Sequence, residues 1–326
     1  MRVGLIGVGA IAQIHIPALL KAGQTITALC DVKIDRCLAA SQKFGLNAKA
    51  YEDYEEMLLR ENLDAVHICT PHYLHAEMIC SALDRNINVL CEKPVAIDFE
   101  QLSRIEQSVN RSMAQLGVCQ QNRYKESMRF IKDYFKDKEI TAASGFLCWQ
   151  RDKAYYESEE WRGKKKTEGG GVVINQALHT LDILQWLCGM PSSVIGHTSC
   201  DTLKGVIDVE ESAFGIFNLQ NGGRFILNAT NSATTCFPIT IMLHSALDTA
   251  VIVNDNIILN GNFLTKSDGL PLFGKEVWGV GHIVLVDRFY QSLKNGEKFE
   301  IDFNEAKKVV TLLLKLYESE GKEIKI

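Results

Sequence analysis

The chain reads as an α/β protein in two parts. A parallel sheet flanked by helices comes first, and a mostly antiparallel sheet follows. Three observations carry this. Over the first ~120 residues short apolar runs alternate with stretches of helical spacing, the pattern of a doubly covered parallel sheet. From about residue 193 to 260 the strand-like runs follow one another, separated by turns such as Asn221-Gly222-Gly223 and Asp255-Asn256. The length, 326 residues, exceeds one average domain and suits two. The division is placed at 122, giving parts 1–122 and 123–326.

The elements of the first part follow in order. Strands are expected at 2–6, 26–31, 65–69, 89–91 and 117–120, and helices at 10–22, 35–44, 54–60, 75–85 and 99–112. Beyond Tyr124 a helix is expected at 126–136, a longer strand at 142–151 and a strong helix over 169–187. Strands then fall at 193–199, 213–219, 223–228, 239–244, 249–253 and 256–259, and helices at 281–293 and 304–320 close the chain. No internal repeat or low-complexity stretch interrupts this order.

Composition bounds the function. A net charge of −5, with both signs spread along the chain, does not suit a nucleic-acid partner. Lys164-Lys165-Lys166 is a short basic run that reads as a solvated loop or a contact for an anionic substrate. No apolar run reaches the ~18 residues of a membrane span. Position 2 is charged and strand chemistry begins at once, so no signal peptide is expected. The ten cysteines are scattered without a C-x-x-C pair or zinc spacing. Several, such as Cys69, Cys91, Cys119 and Cys148, sit in apolar runs and read as buried, reduced thiols of a cytoplasmic protein that holds no metal.

The residues that carry chemistry cluster after the first-sheet strands, where ligands of such sheets bind. Gly7-Val8-Gly9-Ala10-Ile11-Ala12 turns the first strand into a helix. The first glycine allows the tight turn, the second lets backbone N–H groups approach a pyrophosphate, and the small residue at 12 allows close packing. The helix N-terminus adds partial positive charge. Asp31 ends the second run about twenty residues later, where a carboxylate accepts from the adenosine ribose hydroxyls and repels a 2′-phosphate. NAD is therefore expected rather than NADP, with Lys33 and Arg36 nearby working against that preference.

Thr70-Pro71-His72-Tyr73-Leu74-His75 follows the run at 65–69, and its histidines read either as cofactor neighbours or as surface and cap residues. Glu92-Lys93-Pro94 follows the run at 89–91. An ammonium there can bond a substrate hydroxyl and stabilise alkoxide character, or form a surface ion pair. Asn175, His179 and Asp182 fall at i, i+4 and i+7 of the expected helix, on one polar face. His179 can act as general base, with Asp182 fixing its tautomer and Asn175 holding substrate; otherwise His179 is a core histidine. Trp161-Arg162-Gly163, Asn122-Arg123-Tyr124 and the pair Tyr155 and Tyr156 are further candidates that either line the site or pack.

Taken together, these residues resemble the Gfo/Idh/MocA family, the glucose–fructose oxidoreductase and inositol dehydrogenase group. Gly7-x-Gly9-x-x-Ala12, Thr70-Pro71-x-x-x-His75, Glu92-Lys93-Pro94 and the block from Gly169-Gly170-Gly171 to His179-x-x-Asp182 fall in the family's order and rough spacing over essentially the whole chain. The resemblance implies an N-terminal Rossmann domain and a C-terminal α/β domain with a large open antiparallel sheet for substrate binding and oligomerisation. It implies a nicotinamide cofactor, a sugar or polyol substrate, and a homodimer or homotetramer formed through that sheet. Lys93 and His179 match the family's catalytic lysine and histidine. His72 stands where asparagine is frequent, and Asn175 where many members carry a catalytic aspartate.

The expected activity is thus a hydride transfer between NAD and a secondary alcohol of a sugar or polyol. Lys93, His179 and Asn175 carry the chemistry. The cofactor meets Gly7, Gly9, Ala10, Ile11, Asp31, Thr70, Pro71, His72, His75, Glu92, Lys93, Asn122, Trp161 and Arg162, and the substrate meets Lys93, Arg123, Tyr156, Asn175 and His179. Loops 152–166 and 264–275 are expected to choose the substrate. Two alternatives keep the cofactor: a redox-neutral glycosidase and a non-catalytic NAD or sugar sensor.

Overall fold

In the first sheet, six parallel strands run in the order β3-β2-β1-β4-β5-β6 among the residues described by the structure, a computed structural model covering 1–265 and 281–326. They are β1 (Arg2–Ile6), β2 (Thr25–Cys30), β3 (Lys49–Tyr51), β4 (Ala65–Ile68), β5 (Asn88–Cys91) and β6 (Leu116–Val118). The central strands are short apolar runs because helices cover both faces and every side chain of β4 is buried. The strand order reverses between β1 and β4, which leaves a ligand position beyond their carboxyl ends. Caps fix two of the helix starts: the Asp53 carboxylate accepts from Glu55 N–H at 2.8 Å and that of Asp98 from Gln101 N–H at 2.7 Å.

The second sheet holds nine strands among the described residues, in the order β14-β13-β12-β11-β7-β10-β9-β8-β15. These are β7 (Ile140–Cys148), β8 (Pro191–Ser199), β9 (Ser212–Leu219), β10 (Arg224–Thr230), β11 (Thr240–Ser245), β12 (Thr249–Val253), β13 (Asn256–Leu259), β14 (Asn262–Thr265) and β15 (Ile324–Lys325). Every neighbouring pair is antiparallel except β7 with β10. The helix Leu178–Cys188 packs on β7, and Gly145 leaves the room that Thr180 and Leu184 occupy.

The chain divides into two compact units. One comprises Met1–Tyr124 with the described residues of 270–307, the other the described residues of 125–269 with Lys308–Ile326. The helix Gly281–Asn295 is part of the first unit. Its Leu285, Val286, Phe289 and Tyr290 join Val3, Leu5, Ile16 and Leu19 in one apolar core.

Several local features depart from the sequence expectation, among them short helices at Lys153–Glu157 and Lys165–Glu168 within an expected loop. The strand β3 is three residues long at a sheet edge, too short for a period of two to register. The short strands β14 and β15 escaped for the same reason. The helix expected over 169–187 begins only after the glycine triplet, with a π-turn at Val173–Ala177 before the α-helix Leu178–Cys188. Cys148 is half-buried, whereas Cys69, Cys91 and Cys119 are fully enclosed. All ten cysteines are free of disulfides. No helix of the described residues is long and apolar enough to cross a membrane.

Candidate active site

In the first unit the carboxyl ends of β1, β2, β4 and β5 gather most of the expected cofactor residues. Gly7 adopts φ +88°, and a Cβ there would lie 2.6 Å from the Cys69 carbonyl oxygen, so the turn demands glycine. Gly9 has no atom within 4 Å of where its Cβ would stand, which leaves space at the start of the helix Ala12–Lys21. Ala10 and Ile11 lead into that helix, and no side chain caps its N-terminus. An open surface beside an uncapped helix start is what a diphosphate requires. Asp31 is buried and accepts from Val8 N–H at 2.8 Å and Lys33 N–H at 2.9 Å, with Arg36 at 3.7 Å. It therefore anchors the glycine turn while keeping carboxylate lone pairs for a ribose.

Thr70 and Pro71 follow β4, and His72 opens a single 3-10 turn and is buried. His75 is enclosed, with Nδ1 2.7 Å from the Pro94 carbonyl and Nε2 2.8 Å from the Thr70 carbonyl. Its ring thus braces the Thr70 loop against the Lys93-Pro94 loop; of the two roles expected for it, this is a structural one. Burial pulls its pKa down, against the two carbonyls that favour the charged ring.

Glu92 sits in a network that the sequence reading missed. His15 Nε2 lies 2.9 Å and His282 Nε2 3.1 Å from Glu92 Oε1. His15 Nδ1 lies 2.7 Å from His67 Nδ1, and His67 Nε2 2.9 Å from the Tyr290 hydroxyl. A carboxylate only accepts, so both Nε2 atoms carry hydrogen. With neutral rings, His67 Nδ1–H then donates to His15 and Tyr290 O–H donates to His67. Burial lowers the pKa of both His15 and His67, which keeps them neutral. Burial also opposes the charge of Glu92, yet the hydrogen bonds from His15 and His282 outweigh it and hold that carboxyl well below its ordinary range. Glu92 Oε2 in turn accepts the Lys93 N–H at 3.2 Å. Cys119 brings its sulfur within 4.8 Å of the His15 and Glu92 ligand atoms; these three can bracket an ion by distance, but their hydrogen bonds already satisfy the nitrogen and oxygen atoms. The legible signal was a histidine inside the otherwise apolar strand Ala65–Ile68 and another on the buried face of the helix Ala12–Lys21.

Asn122 and Arg123 lie in the 3-10 turn Gln121–Tyr124 of the first unit. Arg123, expected at the substrate, is buried and paired with Glu305 at 3.0 Å, because a buried guanidinium needs a carboxylate partner.

In the second unit, Glu168, Asn175, Tyr155, Arg162, Gln176 and Asn231 form one polar cluster. The π-turn removes Asn175 from the α-helical register of His179 and Asp182, so the three do not form the expected i, i+4, i+7 row. His179 is half-buried and Asp182 buried within the same α-helix, still one turn apart. Asn175 Nδ2 donates to Glu168 Oε1, whose Oε2 takes the Gly163 N–H at 2.5 Å. Burial raises the Glu168 pKa to about 7, against those two hydrogen bonds and the charge of Arg162. Arg162 donates to the Tyr155 hydroxyl at 2.5 Å and stacks over the Tyr155 and Trp161 rings at 4.5 and 4.8 Å. One nitrogen of its guanidinium is thus engaged inside the cluster. Tyr156 is packed with Leu203, Ile207 and Val209, and its hydroxyl accepts from Asn231 at 3.0 Å, so it joins the cluster through Asn231. Glu210 fixes the turn below: it accepts from Gly171 N–H at 2.8 Å, Val173 N–H at 3.0 Å and the Tyr317 hydroxyl at 2.8 Å. A Cβ on Gly171 would fall inside the Glu210 carbonyl oxygen, so that approach needs glycine. Of the two substrate-choosing loops, 152–166 is described, whereas 266–275 lies outside the described residues.

Comparisons with known proteins agree with this fold. Residues 1–120 match the oxidoreductase family with an NAD-binding Rossmann fold, and residues 137–245 match the GFO/IDH/MocA C-terminal domain. A D-glucoside 3-dehydrogenase of Escherichia coli K12 is 25% identical over 92% of this chain and 97% of its own. An inositol 2-dehydrogenase of Salmonella paratyphi B is 27% identical over 57% of this chain and 54% of its own. The structure of the WlbA dehydrogenase from Bordetella pertussis, in complex with NADH and UDP-GlcNAcA, shares the fold with a TM-score of 0.86 at 24% identity, covering 100% of this chain and 98% of that one. With both of its domain types matched in order, the chain belongs to the Gfo/Idh/MocA family of NAD-binding, Rossmann-fold oxidoreductases.

Proposed function

We propose that this oxidoreductase transfers a hydride between NAD and a secondary alcohol of a sugar, sugar derivative or polyol. The observation that carries the reading is the gathering of the glycine turn, Asp31, Thr70-Pro71 and Lys93 at the carboxyl ends of four neighbouring strands. The names of the similar proteins, acting on a glucoside, an inositol and a nucleotide sugar, support the substrate class.

Gly7, Gly9, Ala10 and Ile11 would receive the diphosphate, and Asp31 the adenosine ribose; its charge disfavours a 2′-phosphate, so NAD is preferred to NADP. When bound, the nicotinamide supplies the hydride acceptor. Lys93 donates a hydrogen bond to the substrate oxygen and stabilises the negative charge that grows there. Glu92, fixed by two imidazoles, holds the Lys93 backbone in place. His179 takes the hydroxyl proton, because Asn175 is an amide and cannot. Asn175 orients the substrate.

The test is NAD-linked turnover on a panel of glucosides and inositols. Lys93→Met should lower kcat by about 10²–10³-fold with NADH affinity nearly unchanged; unaltered turnover refutes its role. Glycoside cleavage with catalytic NAD and no NADH accumulation would indicate the redox-neutral reaction instead, and tight NADH binding without turnover a sensor.

The second sheet supports a homodimer or homotetramer. Ile195, Ile216, Ile226, Met242, Val251 and Ile258 stand in register across its strands, with Ser144 in the row, and all are only half-buried. An apolar row on one sheet face, broken at Ser144, is the surface a second copy would cover. Ten free thiols support a reducing, cytoplasmic setting.

A further inference from the structure

We propose that the second unit carries an accessory site for a neutral sugar or polyol, in a cavity lined by Lys165, Lys204, Asp208, Glu320, Thr198 and Ser199. The cavity lies between the end of β8, the loop 200–211, the glycine triplet and the end of the helix Phe303–Ser319. It encloses about 440 Å³, within the range of small-molecule sites. None of its lining residues belongs to the hydride-transfer machinery above, so the site does not rest on that reading.

The walls are pinned by the protein's own hydrogen bonds. Glu211 accepts from the backbone N–H groups of Asp201 at 3.0 Å, Thr202 at 2.8 Å and Leu203 at 2.7 Å, which fixes one end of the loop. At the other end Asp208 Oδ1 accepts from Lys165 N–H at 2.6 Å, and Asp208 N–H donates to the Gly163 carbonyl at 2.9 Å. Glu210 lines the cavity and, through its bonds to Gly171, Val173 and Tyr317, holds the glycine turn beside it. A cavity built in advance spends little free energy on ordering when a ligand enters.

Side chains of both signs line this space without pairing. No ion pair joins the Lys165 and Lys204 ammoniums to the Asp208 and Glu320 carboxylates among the described residues, and the Thr198 and Ser199 hydroxyls make no hydrogen bond there either. Ion pairs at exposed positions gain little, so these groups keep their capacity for a ligand. Two ammoniums against two exposed carboxylates and the buried Glu210 give no positive potential, which disfavours a phosphate or another anion. A sugar hydroxyl both donates and accepts, and that is what interspersed ammonium, hydroxyl and carboxylate groups require. Ile207, Val209 and Tyr317 add apolar surface for the C–H faces of the ring. Lys165, the middle residue of the run Lys164-Lys165-Lys166, would thereby meet hydroxyl oxygens rather than an anionic substrate.

The experiment uses the full chain with its lysines dimethylated by 13C-formaldehyde and borohydride, which keeps their charge. The Lys165 and Lys204 methyl signals are identified by their loss in Lys165→Arg and Lys204→Arg. They are followed by NMR while glucose, maltose, N-acetylglucosamine and myo-inositol are added in turn, without NAD. The expected result is a saturable shift of both signals with at least one of these compounds and none with inorganic phosphate. Lys204→Ala combined with Glu320→Ala removes a donor and an acceptor at exposed positions, and should weaken the binding read at Lys165 about 10-fold. No saturable shift with any of these compounds, a shift with phosphate alone, or a Lys165 response unaltered in the double variant overturns the proposal. Turnover with NAD is read separately. Oxidation of a sugar that moves neither signal removes the accessory site and leaves the hydride transfer standing, and shifts without turnover on any sugar do the reverse.

Discussion

Glu168 makes the stability of this protein depend on pH in a direction that can be worked out. Its folded value is about 7 against an ordinary 4.5, a difference of about 2.5 units. At 1.36 kcal/mol per unit this is about 3 kcal/mol. The folded state holds the proton more tightly than the unfolded chain. Between pH 4.5 and 7 the native carboxyl is therefore protonated while the unfolded one is not, and unfolding releases a proton. Stability is full below 4.5, falls by about 1.4 kcal/mol per unit through that window, and is level above 7. Glutamine at 168 does not titrate. The wild-type minus Glu168→Gln difference in unfolding free energy should thus decline by about 3 kcal/mol from pH 4.5 to 7.5. Urea unfolding followed by tryptophan fluorescence at four pH values measures it, and all other titrations are common to both proteins and cancel. A difference that stays constant, or grows with pH, would show that Glu168 is already ionised below this window and would refute the reasoning.

Three other substitutions probe the remaining parts of the structure. Gly7→Ala should destabilise by about 2–4 kcal/mol, combining the left-handed backbone penalty with overpacking on the Cys69 carbonyl, and should weaken NADH binding; calorimetry and a binding titration read the two effects. Glu92→Gln keeps an oxygen for the His15 and His282 N–H groups but removes the charge they meet and puts an amide NH2 where Oε2 accepts the Lys93 N–H, so the melting curve should show a loss of about 1.5–3 kcal/mol. An unshifted melt would mean that the network does not need the carboxylate. Ile226→Asp places a charge in the middle of the apolar row of the second sheet and should convert an oligomer to monomers in light scattering, with the melting of the first unit unaltered.

Much of the first unit could be read directly from the chain. Parallel strands buried on both faces are continuous apolar runs, and a glycine turn announces itself by residue type, so β1, β2, β4 and β5 and the positions of Asp31 and Lys93 were legible. The edge strands β3, β14 and β15 were not, because they carry no apolar run long enough to register; they owe their existence to the neighbour they pair with. At the site, residue type alone named His75 and Arg123 but could not say that their polar atoms would be consumed by Thr70, Pro94 and Glu305.

What the sequence determined by itself is therefore local: which stretches bury, where the backbone must be glycine, and where a carboxylate or ammonium ends a strand. What only the tertiary structure decided is which distant groups share a proton. His15, His67, Glu92, His282 and Tyr290 are spread over 275 positions, yet join in one hydrogen-bonded chain. A π-turn that no periodicity announced places Asn175 against Glu168. The reason is physical: burial and partnership fix tautomers and charges, and both are properties of the neighbours in space rather than of the residue or its place along the chain.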